Sequence, residues 1–189
     1  DEYLAKRWVA PFLADHISAN ALTLCTLVFA MVGAFLLSIE MLWAGVFLYS
    51  VGRFLDHADG RIAIINATEG PFGQWWDLMV DALSPPALYV AIGVSYGLDP
   101  VVICACAVIT FMVRCQEFSY IYADSLQELE ESNVLGHMAY DESGGLYYWL
   151  IPLFALSGSL DYFMYLSTAG HILWITFVVY RTYEGKSAE

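Results

Sequence analysis

Long apolar runs separated by short polar breaks dominate this sequence and decide what it can fold into. Apolar residues make up 59% of the 189 residues and charged ones only 14%, a composition typical of a membrane protein. A membrane-spanning helix needs about 20 predominantly apolar residues. The polar breaks divide the chain into six candidate spans, at residues 20–39, 41–65, 72–94, 101–123, 146–160 and 162–180. The sequence therefore predicts an all-α integral membrane bundle of six transmembrane helices.

The remaining segments are too short for a second folded domain. Residues 1–16 mix cations, aromatic side chains and Pro11, which predicts a short N-terminal interfacial helix. Ser18 is placed to cap the first span. Residues 124–145 form the longest polar segment and are acidic, and we expect them to form a helical extension and a loop outside the membrane. Residues 1–189 are thus predicted to be a single membrane domain.

Charge constrains both the partners and the orientation of the chain. The formal net charge of −13 argues against a nucleic-acid partner. Six spans would place both termini on one side of the membrane, and five cations then fall on that side: Lys6, Arg7, Arg61, Arg181 and Lys186. The opposite loops carry acidic residues and no cation. The positive-inside rule predicts that the side with the cations faces the cytoplasm or its organellar equivalent.

Four aspartates interrupt the second and third candidate spans at helical spacing. Asp56 and Asp59 are three residues apart and share one face of a helix. Asp77 and Asp81 are four apart on the next helix. If the chain turns between these helices, the four carboxylates meet, and their mutual repulsion in a low-dielectric setting calls for a divalent cation. Carboxylate oxygens are the ligands that Mg²⁺ and Mn²⁺ prefer, so the pattern predicts a metal site within the membrane domain.

The same stretch resembles a family signature. The CDP-alcohol phosphotransferases carry D-x-x-D-G-x-x-A-R, eight further residues, and G-x-x-x-D-x-x-x-D. Seven of the eight signature positions match in register: Asp56, Asp59, Gly60, Ala63, Gly73, Asp77 and Asp81. The motif spans residues 56–81. The resemblance implies a six-helix membrane enzyme of phospholipid synthesis, which transfers a phospho-alcohol group from a CDP-alcohol to a hydroxyl acceptor and releases CMP.

The resemblance also implies roles for the matching residues. Asp56, Asp59 and Asp77 would hold Mg²⁺ or Mn²⁺, and Asp81 would contact a second metal ion or act as the base that deprotonates the acceptor. The nucleotide would lie against Gly60, Ala63 and Gly73. CDP-diacylglycerol is the expected donor, although the motif also allows another CDP-alcohol. The family resemblance further implies a homodimer.

One signature position differs. Ile64 stands where the family has an arginine, and the change removes a charge-assisted donor worth about 1.5–3 kcal/mol. Arg61 or Arg53 could substitute in part, and Arg61 and Arg114 are candidate contacts to phosphate or acceptor groups. Arg61 could equally be a boundary cation, and Arg114 a member of a structural ion pair with Glu117. Ile64 therefore supports a second interpretation, in which the chain is a catalytically inactive family member that serves as a structural or lipid-binding subunit of a larger membrane complex.

Overall fold

The computed structural model describes residues 2–124 and 150–186, and every regular element among them is a helix. Of residues 2, 117–124 and 181–186 only the backbone is described. The N-terminal helix α1 consists of three joined pieces, Glu2–Leu4, a π-helical turn at Ala5–Val9, and Ala10–Ala14. The others are α2 (Ala19–Ser38), α3 (Leu42–Ile65), α4 (Pro71–Ser95), α5 (Pro100–Asp124), α6 (residues 150–156) and α7 (Leu160–Lys186).

The first four predicted spans agree with α2 to α5 to within one residue at each end. Three helices of the described residues are long and apolar enough to cross a membrane, namely Ala19–Ser38, Pro71–Ser95 and Leu160–Tyr180. Pro100–Gln116 forms a shorter apolar helix. Helix α3 has 24 residues and is about 36 Å long, but its carboxylates and cations lower its hydropathy. The all-helical class is therefore confirmed, and six spans remain a prediction.

The predicted boundary between the fifth and sixth spans was wrong. The fifth span was expected to end at Leu160, but Leu160 begins α7, and α6 ends at residue 156. Gly158 in the turn between them has a φ of 68°, a left-handed conformation that glycine adopts without steric cost and that ends helices. Ser18 does cap α2, because its Oγ accepts a hydrogen bond from the Ala21 N–H at 3.4 Å. Of the acidic segment predicted at 124–145, residues 125–145 lie outside the described residues.

Helices α2 and α3 pack backbone against backbone through three glycines. A Cβ built on Gly33 would lie 2.6 Å from the Tyr49 nitrogen, and one on Gly45 would lie 2.7 Å from the Gly33 oxygen. Gly52 is seven residues after Gly45, and a Cβ there would lie 3.0 Å from the Thr26 carbonyl oxygen. Small residues allow this close approach between membrane helices. The glycine contacts fix α2 beside the helix that carries the first two motif aspartates.

A second small core joins α1 to the bundle. Three alanines on one face of α1 pack with residues of α2 and α3 in a buried cluster: Ala5, Ala10, Ala14, Leu22, Ala58 and Ile62. The Asn66 side chain, just beyond α3, donates a hydrogen bond to the Ala14 carbonyl oxygen at 2.9 Å. The predicted N-terminal helix is therefore present and docked beside the end of α3 that carries the Asp-Gly motif.

Candidate metal centre

Helices α3 and α4 bring the two halves of the aspartate motif together. They are joined by the short segment 66–70, so α4 returns alongside α3. Asp56 and Asp59 of α3 and Asp77 of α4 each offer a carboxylate oxygen, and the three oxygens all lie within 4.8 Å of one another. Asp59 is buried, and the other two are half-buried. Three carboxylates from two helices thus form one compact cluster.

Asp59 is oriented by two donors from the protein. The Thr23 hydroxyl, which is buried on α2, donates to Asp59 Oδ2 at 2.6 Å. The backbone N–H of Gly60 donates to Asp59 Oδ1 at 2.6 Å. Each carboxylate oxygen can accept a further contact, so these bonds fix the side chain without removing it as a ligand. Helix α2 therefore takes part in building the site although it contributes no carboxylate.

Asp81 is held by an arginine. One nitrogen of Arg53, Nη2, lies 2.7 Å from Asp81 Oδ1 and 2.9 Å from Asp56 Oδ2. The Arg53 side chain is 5% exposed and that of Asp81 is 32% exposed. A cation inside an apolar bundle is costly unless it is paired, and here it bridges the first and last aspartates of the motif. The structure thus joins three of the four aspartates in one cluster and links Asp81 to it through Arg53.

The cluster fits a hard divalent cation. Asp56 Oδ1 is buried and has no hydrogen-bond partner among the described residues, and such an orphaned carboxylate oxygen is costly. Ligands of Mg²⁺ lie about 2.1 Å from the ion, so opposite oxygens lie about 4.2 Å apart. Oxygens within 4.8 Å of one another can reach this geometry by small side-chain movements. The all-carboxylate set suits either Mg²⁺ or Mn²⁺.

The three small motif residues, Gly60, Ala63 and Gly73, differ in how closely other atoms approach them. Gly60 is exposed, and a Cβ built there would meet nothing within 4 Å. A Cβ on Gly73 would lie 3.3 Å from the Asn20 side-chain oxygen, so Gly73 faces α2 closely. Ala63 is half-buried. The open surface at Gly60 leaves room for a ligand, and the nucleotide contacts assigned to these three residues stay predictions.

The two arginines that could substitute in part for the one missing at Ile64 lie in different surroundings. The Ile64 side chain is 51% exposed. Arg53 lies on nearly the same face of α3 as Ile64, but three turns, or about 16 Å, away along the helix axis. Its guanidinium contacts Asp56 and Asp81. Arg61 is exposed and lies beside α1. Arg53 would therefore have to act from a distance while paired with the aspartates, and substitution by either arginine stays a prediction.

Arg114 lies elsewhere in the bundle, on α5. It is half-buried and close enough to His171 of α7 to interact with it electrostatically. His171 Nδ1 is in turn 3.2 Å from the Thr110 hydroxyl. The side chain of Glu117, its expected partner, lies outside the described residues. A contact from Arg114 to phosphate or to the acceptor stays a prediction.

Two contacts of the centre were missed by sequence reasoning. Arg53 is three residues before Asp56, so helical periodicity could have paired them, but its bridge to Asp81 crosses between helices. Thr23 carried no signal, because a threonine within an apolar run is ordinary. Both residues come from the face along which α2, α3 and α4 meet.

Comparison with known proteins agrees with this geometry. A search of curated proteins gives no match to the chain. The sequence model of the family described as CDP-alcohol phosphatidyltransferase matches residues 16–181, which include α2 to α7 almost completely and all four aspartates. Members of this family are typically metal-dependent and act on a CDP-alcohol and an alcohol acceptor. With most of its length matched and its motif aspartates assembled, the chain belongs to the CDP-alcohol phosphatidyltransferase family.

Proposed function

We propose that the chain is a metal-dependent transferase that moves the phosphatidyl group of CDP-diacylglycerol to a hydroxyl acceptor and releases CMP. The observation that carries this proposal is the meeting of three carboxylates from α3 and α4 within 4.8 Å. In this proposal residues 1–189 form one domain with six spans, act as a homodimer, and open the centre toward the cytoplasm or its organellar equivalent. The cation placement supports that orientation.

Asp56, Asp59 and Asp77 are the residues that would hold the cation. Their oxygens converge, Thr23 and the Gly60 N–H fix Asp59, and Asp56 Oδ1 is buried without a hydrogen-bond partner. Mg²⁺ or Mn²⁺ bound there would neutralise the carboxylates and polarise the donor pyrophosphate. The exposed backbone at Gly60 gives the nucleotide a surface that no side chain blocks.

Asp81 is the residue that we assign to proton removal. Its side chain is 32% exposed, compared with 8% for the side chain of Asp56, and Asp59 is buried. Arg53 holds its Oδ1, which sets the direction of the carboxylate. The acceptor hydroxyl transfers its proton to Asp81, its oxygen bonds to the phosphorus that bears diacylglycerol, and the bond from that phosphorus to the CMP oxygen breaks. CMP leaves with the electron pair of that bond.

A second candidate function belongs to a different class. The chain would be an inactive relative that binds lipid or supports a larger membrane complex. The observation in its favour is Ile64, which is 51% exposed and leaves a hydrophobic side chain where the family has a cation. Such a protein would keep its helical bundle and could keep its metal, but it would not release CMP.

Metal-dependent release of CMP from the purified protein tests the first proposal against the second. The assay uses CDP-diacylglycerol, a panel of hydroxyl acceptors, and Mg²⁺ or Mn²⁺, with wild type and Asp56→Asn. Asp99→Asn is the matched control, because Asp99 lies at the other end of the bundle and caps α5 through a 2.8 Å bond from the Val101 N–H, which asparagine can also accept. We expect turnover in wild type and control and its loss in Asp56→Asn. A wild type that releases no CMP with any acceptor would favour the inactive relative.

A further inference from the structure

An open groove with a basic lining lies between α1 and the end of α3. Its volume is about 780 Å³ and its lining residues are Tyr3, Lys6, Arg7, Trp8, Pro11 and Arg61. None of the six is acidic, in a chain whose net charge is −13. Five of the seven lysines and arginines have described side chains, and the three exposed ones among them all line this groove. Exposed positive charge in the described part of the chain is therefore concentrated in one place.

The docking of α1 builds the groove. The alanine face of α1 packs on Ala58 and Ile62 of α3, which brings Arg61 beside the N-terminal cations. Lys6 and Arg7 both lie in the π-helical turn Ala5–Val9, where the Ala10 N–H bonds to the Ala5 carbonyl oxygen. Such turns are rare and are frequently found at functional sites.

Aromatic side chains flank the cations. The Arg7 guanidinium carbon lies 5.8 Å from the centre of the Tyr3 ring, within the range of a cation–π contact. Tyr3 is 67% exposed and Trp8 is 68% exposed. Exposed tyrosine and tryptophan beside cations are typical of the level at which lipid headgroups lie. The groove volume also falls within the range of small-molecule sites, about 300–1,000 Å³.

We propose that this groove binds a phosphate group. Arginine forms paired hydrogen bonds to phosphate oxygens, and lysine adds a compact charge with three donors. Two sources share this chemistry, the headgroup of an anionic phospholipid and a free phosphate or phosphomonoester. The proposal does not rest on the transfer reaction, because binding in the groove is measured without CMP release.

The test uses the full chain in two binding experiments, one for free phosphate and one for an anionic phospholipid. In one arm the protein is placed in nanodiscs of phosphatidylcholine and titrated with inorganic phosphate, with the change in tryptophan fluorescence as the readout. In the other arm it is placed in nanodiscs that also contain phosphatidic acid, and retained anionic lipid is measured by native mass spectrometry. The variant Lys6→Gln, Arg7→Gln, Arg61→Gln removes the three charges. Each cation near a phosphate-bearing surface contributes about fivefold to binding, so the triple variant should bind about a hundredfold more weakly.

Two control variants test whether binding depends on the positive charge in the groove or on the net charge of the whole protein. The charge-conserving variant Lys6→Arg, Arg7→Lys, Arg61→Lys should stay within a few-fold of wild type. Ser157→Asp changes the net charge by the same amount as Arg61→Gln, but it lies at the other end of the bundle in an exposed turn, and it should bind as wild type does. If the glutamine triple variant loses only the response to inorganic phosphate, the ligand is a soluble phosphate. If it loses only the retained phosphatidic acid, the ligand is a lipid headgroup. Either result supports the site. Binding by the glutamine triple variant equal to that of wild type, or no binding by wild type in either arm, would overturn it.

Discussion

Replacing Arg53 tests how the charge of the aspartate centre is balanced. Arg53→Met keeps an unbranched apolar stem but removes the guanidinium that contacts both Asp56 and Asp81. Removing one partner of a buried ion pair costs about 3–5 kcal/mol, because the remaining charge is left uncompensated. Water can reach Asp81, which is 32% exposed, whereas Asp56 is 8% exposed. The uncompensated charge therefore lies mainly on Asp56, and we expect a loss at the lower end of the range, about 3 kcal/mol.

The measurement is the free energy of unfolding in detergent without divalent cations, for wild type and Arg53→Met. Arg61→Met is the matched control, since it removes an exposed arginine from the same helix and should change stability by about 0.5 kcal/mol or less. The double variant Arg53→Met, Asp56→Asn should recover part of the loss, because it removes the carboxylate that is left mainly uncompensated. Equal stability of Arg53→Met and Arg61→Met would refute the assignment of Arg53 as the counter-charge of the centre.

Added Mg²⁺ gives the same experiment a second readout. A ligand that binds only the folded state stabilises by about 2.7 kcal/mol at a hundredfold excess over its dissociation constant. In Arg53→Met the cation also relieves the repulsion that the guanidinium relieved in wild type, so the stabilisation by Mg²⁺ should be larger in the variant. A smaller stabilisation in the variant would mean that Arg53 helps to form the metal site and does not compete with it.

Four further outcomes are expected. Asp81→Asn should abolish CMP release while leaving Mg²⁺ binding, measured by calorimetry, largely unchanged, because only the proton acceptor is lost. Ile64→Arg should change the rate of CMP release modestly or raise it by tightening the hold on CDP, which a lower apparent KM for the donor would show. Thr23→Val should weaken Mg²⁺ binding about tenfold or more, since it removes the donor that orients a ligand. Gly33→Ala should lower the unfolding free energy by about 1–3 kcal/mol through overpacking, whereas Gly170→Ala, whose Cβ would meet nothing within 4 Å, should not.

The sequence predicted well what depends on one helix at a time. The apolar runs located α2 to α5 to within one residue, because hydrophobic length and turn residues act locally. The spacing of Asp56 and Asp59 predicted a shared face, and a turn between the second and third candidate spans was expected to bring Asp77 back to it. The cluster of three carboxylates within 4.8 Å agrees with that reasoning.

Contacts between helices were predicted less well, and the reason is physical. In a helix of a soluble protein the apolar stripe shows which face is buried. A membrane helix is apolar toward both lipid and protein, so its sequence gives little information about which face contacts the other helices. The rotation of α2 against α3 instead follows from close glycine contacts, with Gly33 and Gly45 backbone against backbone. That rotation turns Thr23 toward Asp59. A threonine in an apolar run gives no sign of such a contact until the helices are placed.

Arg53 illustrates how aspartates that match a motif in register can still mislead about its charges. The four aspartates suggest equivalent ligands, yet one nitrogen of Arg53 contacts the first and the last of them, and Asp81 is thereby directed by a cation of the protein itself. The loss of arginine at Ile64 suggests a weakened site, but position 64 is about three turns from Arg53 along α3, so the two residues affect different groups. Arg53 acts on the carboxylates, whereas position 64 can act only on a ligand nearer the end of the helix. The aspartates therefore assemble without the motif arginine, and we expect its loss to affect how the nucleotide is held.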